Sequence, residues 1–475
     1  MTRSTIRRCT EHGVAEVMVY RASWVLPMLQ NPIANGAVAV DGDRISYVGP
    51  ADRAPGGRVL DLGDAALMPG LVNVHTHLEL TPLRHLLEGL DFAQWIRTLT
   101  HLRRTGLSDP ADVELGVRVG IAEGLLRGIT TYADTSDTGA PVMRAMTAMG
   151  VRGVVYKEVF GPDPKQCATS LALLRAAVLE LRTIATDMVR VGVSPHAPYS
   201  ASKDLFGAVA EFAIADRLPM AVHLAESAFE EDLVVRGEGP YADNWRGRDI
   251  DPAGAHARSS VELLHEAGAL RARPLIIHAV RVDAADIALL KANDCAVAHC
   301  PVSNARFGHG IAPLHELLDA GVRVGIGTDS VASNNRMDVL DESRVAHLMA
   351  CTRERSWSAL PAARALFMAT TGGAAALGLF DGSGTLAPGA PADLCAFPLD
   401  GLAALPVVDV CDALLHGVAG SPARLTVCAG VERVLDGKLA ERLQTGVDCH
   451  RFAVIAKRLA DGRLRTPHDS PPHSE

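Results

Sequence analysis

The sequence predicts an α/β fold: a (β/α)8 TIM barrel carrying a small β-sandwich domain built from both ends of the chain. Three observations predict it. Strand-like apolar runs alternate with longer helical patterns from about residue 70 to residue 381. Short β-prone segments flank that stretch on both sides. Most of the inner runs also end in a histidine or an acid, as expected where a barrel gathers its working residues at the C-terminal ends of its strands.

Taken in order, residues 1–13 read as an N-terminal extension. They are basic but lead into no apolar run, so no signal peptide is expected. Between 14 and 69, the segments 16–21, 37–40, 44–48 and 58–62 read as short strands separated by Gly-Asp, Gly-Pro and Gly-Gly breaks. Similar segments recur at 392–397, 424–428 and 432–439, within 382–441. A few strands are marginal alone, so these two regions are expected to pair as one β-sandwich. Inside 70–381, eight strands are predicted to end at His77, near Ala133, near Val159, and at His196, His223, His278, His299 and Thr328. Helical patterns fall between them, at 111–127, 170–185, 203–215 and 284–291. A doubly wound sheet is the alternative, and no Gly-x-Gly-x-x-Gly turn follows an early strand to support it. The segment 237–256, rich in Gly, Pro, Asp and Arg, reads as an active-site loop. Residues 442–475 read as a C-terminal helix followed by a disordered tail.

Composition narrows the function. A chain of 475 residues exceeds what one core usually serves, which fits a large domain plus a smaller one. Its 46 basic and 55 acidic residues give a net charge of −9. That balance argues against nucleic acid and anionic membrane as partners. No apolar run reaches the length of a membrane span. Nine cysteines without a C-x-x-C spacing point to reduced thiols in the cytoplasm, and neither a disulfide framework nor a structural zinc knot is expected. The expected partner is a small-molecule substrate, with a homo-oligomer, a dimer, left open.

The chemistry begins at His75-x-His77, directly after a Pro-Gly break. Histidines at i and i+2 share a side only on extended backbone, where both can hold one ion from the same direction. His196, His223 with Glu226, His278 and Asp329 then fall at other strand ends. A single histidine after a strand is usually structural. Seven such groups that one rim would bring together are better read as a site.

His75-x-His77, His223 with Glu226, His278 and Thr328-Asp329 resemble the amidohydrolase superfamily, in particular its purine and pyrimidine aminohydrolases. The resemblance implies one divalent ion held by His75, His77, His223 and Asp329, with zinc the first choice and Fe2+ the second. A second ion would call for a carboxylated lysine at the fourth strand end. That position is His196, and Lys203 lies in the following helix. By the same likeness Glu226 moves the proton, His278 orients the attacking water, and Asp329 is both ligand and base. Trp95 and His196 would contact substrate. His299 and Asn304 are expected to shape a loop and Arg306 to be paired or solvated; His85, His101, His309 and His347 receive no role.

HTHLEL, DFAQWIRTL, SPHAPYSAS, HLAES with Glu230-Glu231, CPVSNARFGHG and GTDSVASNN look closest to the aminodeoxyfutalosine deaminases. That likeness implies loss of the 6-amino group from an adenine-bearing 5′-modified nucleoside in menaquinone synthesis. The alternatives are deamination of S-adenosylhomocysteine, methylthioadenosine or adenosine, and guanine or triazine amino- or chlorohydrolysis. Related adenosyl deaminases often carry an acid after the tryptophan, where this chain has Arg103 and Arg104. A catalytically dead binding relative is the non-enzyme alternative, and the complete ligand set argues against it.

Overall fold

In the computed structural model, residues 17–463 are described. The extension at 1–13 and the tail beyond 463 lie outside the described residues. β-Branched and aromatic residues between turn dipeptides make five strands at the start of the described chain. They are β1 (Met18–Val25), β2 (Ile33–Asp41), β3 (Arg44–Pro50), β4 (Arg58–Asp61) and β5 (Ala65–Pro69). β2 pairs antiparallel with β1 and β3, and β4 and β5 run parallel to β1.

At Gly70 the chain leaves this sheet. Its N–H donates to the Asp393 carbonyl at 2.9 Å, whereas the next N–H, of Leu71, donates to Gly128 at 2.9 Å. A Cβ at position 70 would lie 2.2 Å from Thr130 Oγ1, so this close approach requires glycine.

Eight parallel strands follow. They are β6 (Leu71–Thr76), β7 (Ile129–Ser136), β8 (Arg152–Val159), β9 (Val189–Pro195), β10 (Ala221–Leu224), β11 (Leu275–His278), β12 (Ala296–His299) and β13 (Arg323–Ile326). β6 to β9 and β10 to β13 each form a four-stranded parallel sheet in chain order. Two seams close the ring: the His223 N–H donates to the His196 carbonyl at 2.9 Å, and the Asp329 N–H to the His75 carbonyl at 3.0 Å. Val72, Val74, Val154, Tyr156, Ile277 and Ala298, from different strands, share one apolar cluster inside it. Helices such as Pro110–Leu126, Cys167–Ile184, Lys203–Asp216 and Val339–Glu354 intervene, giving the βα alternation that the sequence predicts.

The last strands are β14 (Leu394–Pro398), β15 (Leu425–Cys428), β16 (Val431–Leu435) and β17 (Lys438–Leu439). β14 pairs antiparallel with β5, so the two ends of the chain meet. Hydrogen bonding joins nine terminal strands into one sheet rather than two. Tyr20, Val38, Ile45, Leu67, Leu394 and Val427 form a core of its own.

The helix Cys449–Arg463 closes the described chain. Its Arg451 and Arg458 each donate to Asp112 at 2.7 Å, fastening it to the barrel. No helix among the described residues is long and apolar enough to cross a membrane. The described cysteines are all free thiols.

Candidate active site

The C-terminal ends of β6, β9, β10, β11 and β13 deliver the histidines and acids to one rim. Local backbone explains how. Ala225, His278 and Asp329 all adopt left-handed conformations, at φ +53°, +77° and +55°. Side chains rarely accept that region, and its concentration here marks a rim held in place by its surroundings. Left-handed Ala225 turns the chain after β10 so that Glu226 faces inward, although it lies three residues from His223. The Glu230 carboxylate secures the turn by accepting from the Ala225 N–H at 2.7 Å and the Glu226 N–H at 3.2 Å.

Four donor atoms converge. His77 Nε2 and His223 Nε2 stand 3.2 Å apart. Asp329 Oδ1 lies 3.3 Å from His75 Nε2 and 3.7 Å from His77 Nε2. His75 Nε2 is buried without a hydrogen-bond partner. An orphaned imidazole nitrogen among three further donors fits a cation, and three nitrogens with one carboxylate oxygen suit zinc or ferrous iron.

The neighbours orient these donors. His223 Nδ1 faces the His196 carbonyl at 3.3 Å, which leaves Nε2 for the site. Asp329 Oδ2 accepts from Ser303 at 2.6 Å and from Ser333 at 3.1 Å. Asn73 ties β6 to β13, donating to Thr328 Oγ1 at 2.8 Å and accepting from the Thr328 N–H at 3.0 Å.

Burial pushes the His75 imidazole down to about 4 and the His196 imidazole to about 3; it also holds His223 well below its ordinary value. These rings are neutral at pH 7, the form that binds metal. Burial alone would raise the Asp329 carboxyl. The imidazole of His75 beside it, with those of His278 and His77, outweighs burial and holds Asp329 well below the usual range.

Glu226 lies between two imidazoles. His278 Nε2 is 3.4 Å and His309 Nε2 3.6 Å from its Oε1. Burial again opposes ionisation, and the neighbouring His278 and His309 imidazoles outweigh it and lower the Glu226 carboxyl overall. His278 Nδ1 meets Asn304 Oδ1 at 3.0 Å, which fixes the ring with Nε2 toward Glu226. Neither His309 nor this use of Asn304 was legible in the sequence. Their only signal was proximity to the Cys-Pro turn at 300–301.

A cavity of about 930 Å³ opens from these groups. Both predicted substrate contacts, Trp95 and His196, line it. Trp95 packs edge-on against Phe307, with ring centroids 5.1 Å apart. Tyr241, Trp245 and Arg248 line it too, so the predicted loop 237–256 does border the site, though part of it is the helix Gly239–Arg246. The walls include Arg97, Arg104 and Arg248, whose guanidiniums form no ion pair with a described residue. Arg103 is occupied by Glu79 at 3.1 Å and Asp137 at 2.9 Å. Arg306 pairs with Glu88, outside the cavity. Glu158 at the end of β8 lines the cavity and was missed by sequence reasoning; buried carboxyls on strands give no periodic signal.

Comparison with known proteins agrees with this fold. The model of the amidohydrolase family matches residues 66–414. The chain is 31% identical over 449 residues to a 5-methylthioadenosine/S-adenosylhomocysteine deaminase of Moorella thermoacetica, covering 92% of this chain and 98% of the relative. A crystal structure of an adenosine deaminase from Xanthomonas campestris with bound zinc superposes with a TM-score of 0.81 at 26% identity, covering 94% of this chain and 99% of the other. An atrazine chlorohydrolase from Arthrobacter aurescens, complexed with zinc, does so with a TM-score of 0.79 at 25% identity, covering 93% and 100%.

Proposed function

The chain belongs to the amidohydrolase family, and on that premise we propose that it is a hydrolytic deaminase of adenine nucleosides. The observation that carries this reading is the juxtaposition of four convergent donors with a clamped carboxyl, Glu226, in one cavity. His75, His77, His223 and Asp329 would hold one divalent ion, zinc before ferrous iron. Such an ion supplies an activated water at neutral pH. His196 stands where a lysine bridging two ions would be needed, and Lys203 is turned to Glu266 at 2.6 Å.

The remaining steps belong to side chains. Asp329 takes a proton from the attacking water as its oxygen bonds to the amino-bearing ring carbon. Glu226, ionised at rest, takes the water's other proton and passes it to the adjacent ring nitrogen. The proton held by Asp329 is then relayed through Glu226 to the amino group as the C–N bond breaks and ammonia leaves. His278, fixed by Asn304, orients the water and faces the developing charge. Trp95 and His196 form walls for the base.

The finer reading is a nucleoside whose 5′ substituent ends in an anionic group, as in aminodeoxyfutalosine of menaquinone synthesis. The motif resemblance, the cavity's volume and the unpaired Arg97, Arg104 and Arg248 support it. S-Adenosylhomocysteine also carries a carboxylate and is the nearest competitor; the name of the Moorella thermoacetica relative favours it. Methylthioadenosine and adenosine leave those arginines unmatched. The likeness to a triazine chlorohydrolase supports a second reading, displacement of chloride by the same apparatus.

We also read residues 70–381 as the catalytic domain and 14–69 with 382–441 as one composite β-sandwich domain. In this reading the single terminal sheet and its own apolar core stand for that domain. A cytoplasmic setting fits the free thiols. A screen of adenine nucleosides and chlorotriazines, with ammonia and chloride as readouts, tests the function. Ammonia release from an acid-bearing 5′-modified adenosine is expected. Turnover of no adenine nucleoside by metal-loaded protein would overturn it.

A further inference from the structure

Two buried acids lining the large cavity have no task in the reaction, Glu158 and Glu79, and they differ in how they are matched. Glu158 is 3% exposed, and its Oε1 is buried without a hydrogen-bond partner. Glu79, the other buried acid of that wall, is satisfied: it accepts from Ser136 at 2.9 Å, from Thr138 Oγ1 at 2.7 Å and from Arg103 at 3.1 Å. The nearest imidazole to Glu158 is His196, whose Nε2 lies 3.8 Å from Oε1, too far for a direct hydrogen bond.

The other nitrogen of His196 is held in place: Ser200 Oγ meets Nδ1 at 2.7 Å and lies 3.2 Å from the Ala197 carbonyl. Nε2 is thereby left toward Glu158 across a gap beside the cavity, and Glu158 Oε1 still lacks a donor. Such a buried acceptor wants a hydrogen-bond donor from outside the protein.

Three donors can be weighed: a cation, a second metal ion and a neutral hydroxyl. A cationic ligand is disfavoured by Arg103, Arg97, Arg104 and Arg248 on the same walls. A metal ion on Glu158, His196 and His223 is geometrically close. Yet His223 has Nδ1 at the His196 carbonyl and Nε2 at His77, so neither nitrogen is free for it. Hydroxyl hydrogens remain, and a carboxylate is a good acceptor for those of a sugar diol.

We propose that Glu158, with His196 beside it, binds the ribose hydroxyls of the nucleoside. This rests on the adenine-nucleoside reading and deepens it. The pair would then fix the sugar between the ring-processing groups and the arginine-lined outer cavity.

The test compares each ribonucleoside with its 2′-deoxy and 3′-deoxy counterparts in wild-type protein and in Glu158→Ala. Wild type should prefer the ribonucleoside in kcat/KM by about 10- to 100-fold, the range expected for losing a hydrogen bond to a charged group. Glu158→Ala should erase the preference by raising KM for the ribonucleoside alone, with kcat and metal content little changed. Equal handling of ribo- and deoxynucleosides by wild type would overturn the proposal without any variant, and would leave the deaminase reading intact. A fall in metal content in the variant would overturn it too, making Glu158 a ligand. Failure of wild type to deaminate any adenine nucleoside would remove both readings together.

Discussion

Two buried carboxylates, Asp112 and Asp329, are handled in opposite ways. Asp112 sits beneath the C-terminal helix, and both of its oxygens are taken by guanidiniums, Arg451 and Arg458 at 2.7 Å each. Asp329 sits on the barrel rim among imidazoles with an unsatisfied nitrogen, on a backbone in the left-handed region. The first cluster is complete with protein atoms alone and serves as a latch. The second is complete only when something binds. An unmatched nitrogen among convergent donors therefore marks the Asp329 cluster as a working site, which buried charge alone would not do.

The contrast can be broken by substitution. The largest effect is expected from His75→Ala or Asp329→Ala, which should remove the bound metal, measured by elemental analysis, and with it all ammonia release. Next comes Glu226→Gln, which should keep the metal and lose about 10²- to 10⁴-fold in kcat, the usual range for a general acid–base group. Near-normal turnover in that variant would remove Glu226 from the proton path.

Asp112→Ala should do the reverse. It should leave kcat unchanged and lower unfolding stability by about 1–3 kcal/mol, as when hydrogen bonds to a buried charge are lost. Chemical denaturation would measure this. The smallest effect is one of pH. Burial opposes ionisation of Asp112, and Arg458 and Arg451 outweigh it, so its folded pKa lies below the unfolded value of about 3.9. The latch therefore contributes fully above that value and weakens as pH falls through the folded value, with no counterpart above it. Wild-type stability should show this acid-side loss and Asp112→Ala should not.

How much could be read from the sequence follows the same division. The eight strand ends and the histidines on them were legible because a barrel writes its working residues at regular places, and His75-x-His77 fixes the strand that starts it. Meeting of the chain ends was legible because neither group of short strands could bury its apolar face alone. Glu158, His309 and the orienting role of Asn304 were not legible. Each matters through a partner far away in sequence, Asn304 to His278 across the β11–β12 crossover being an example, and no local pattern encodes such a pairing. The inward turn of Glu226 has no local sequence signature either. Its cause, left-handed Ala225 tied down by Glu230, lies in hydrogen bonds. The single continuous terminal sheet was also hidden, because pairing of β5 with β14 is a long-range contact.

The most direct measurement is ammonia release from an adenine ribonucleoside while metal-free protein is titrated with zinc. A rise in rate that is linear up to one equivalent and then flat would match a single four-ligand site driving deamination. Activity that needs two equivalents, or no ammonia at any ratio of metal to protein, would contradict it.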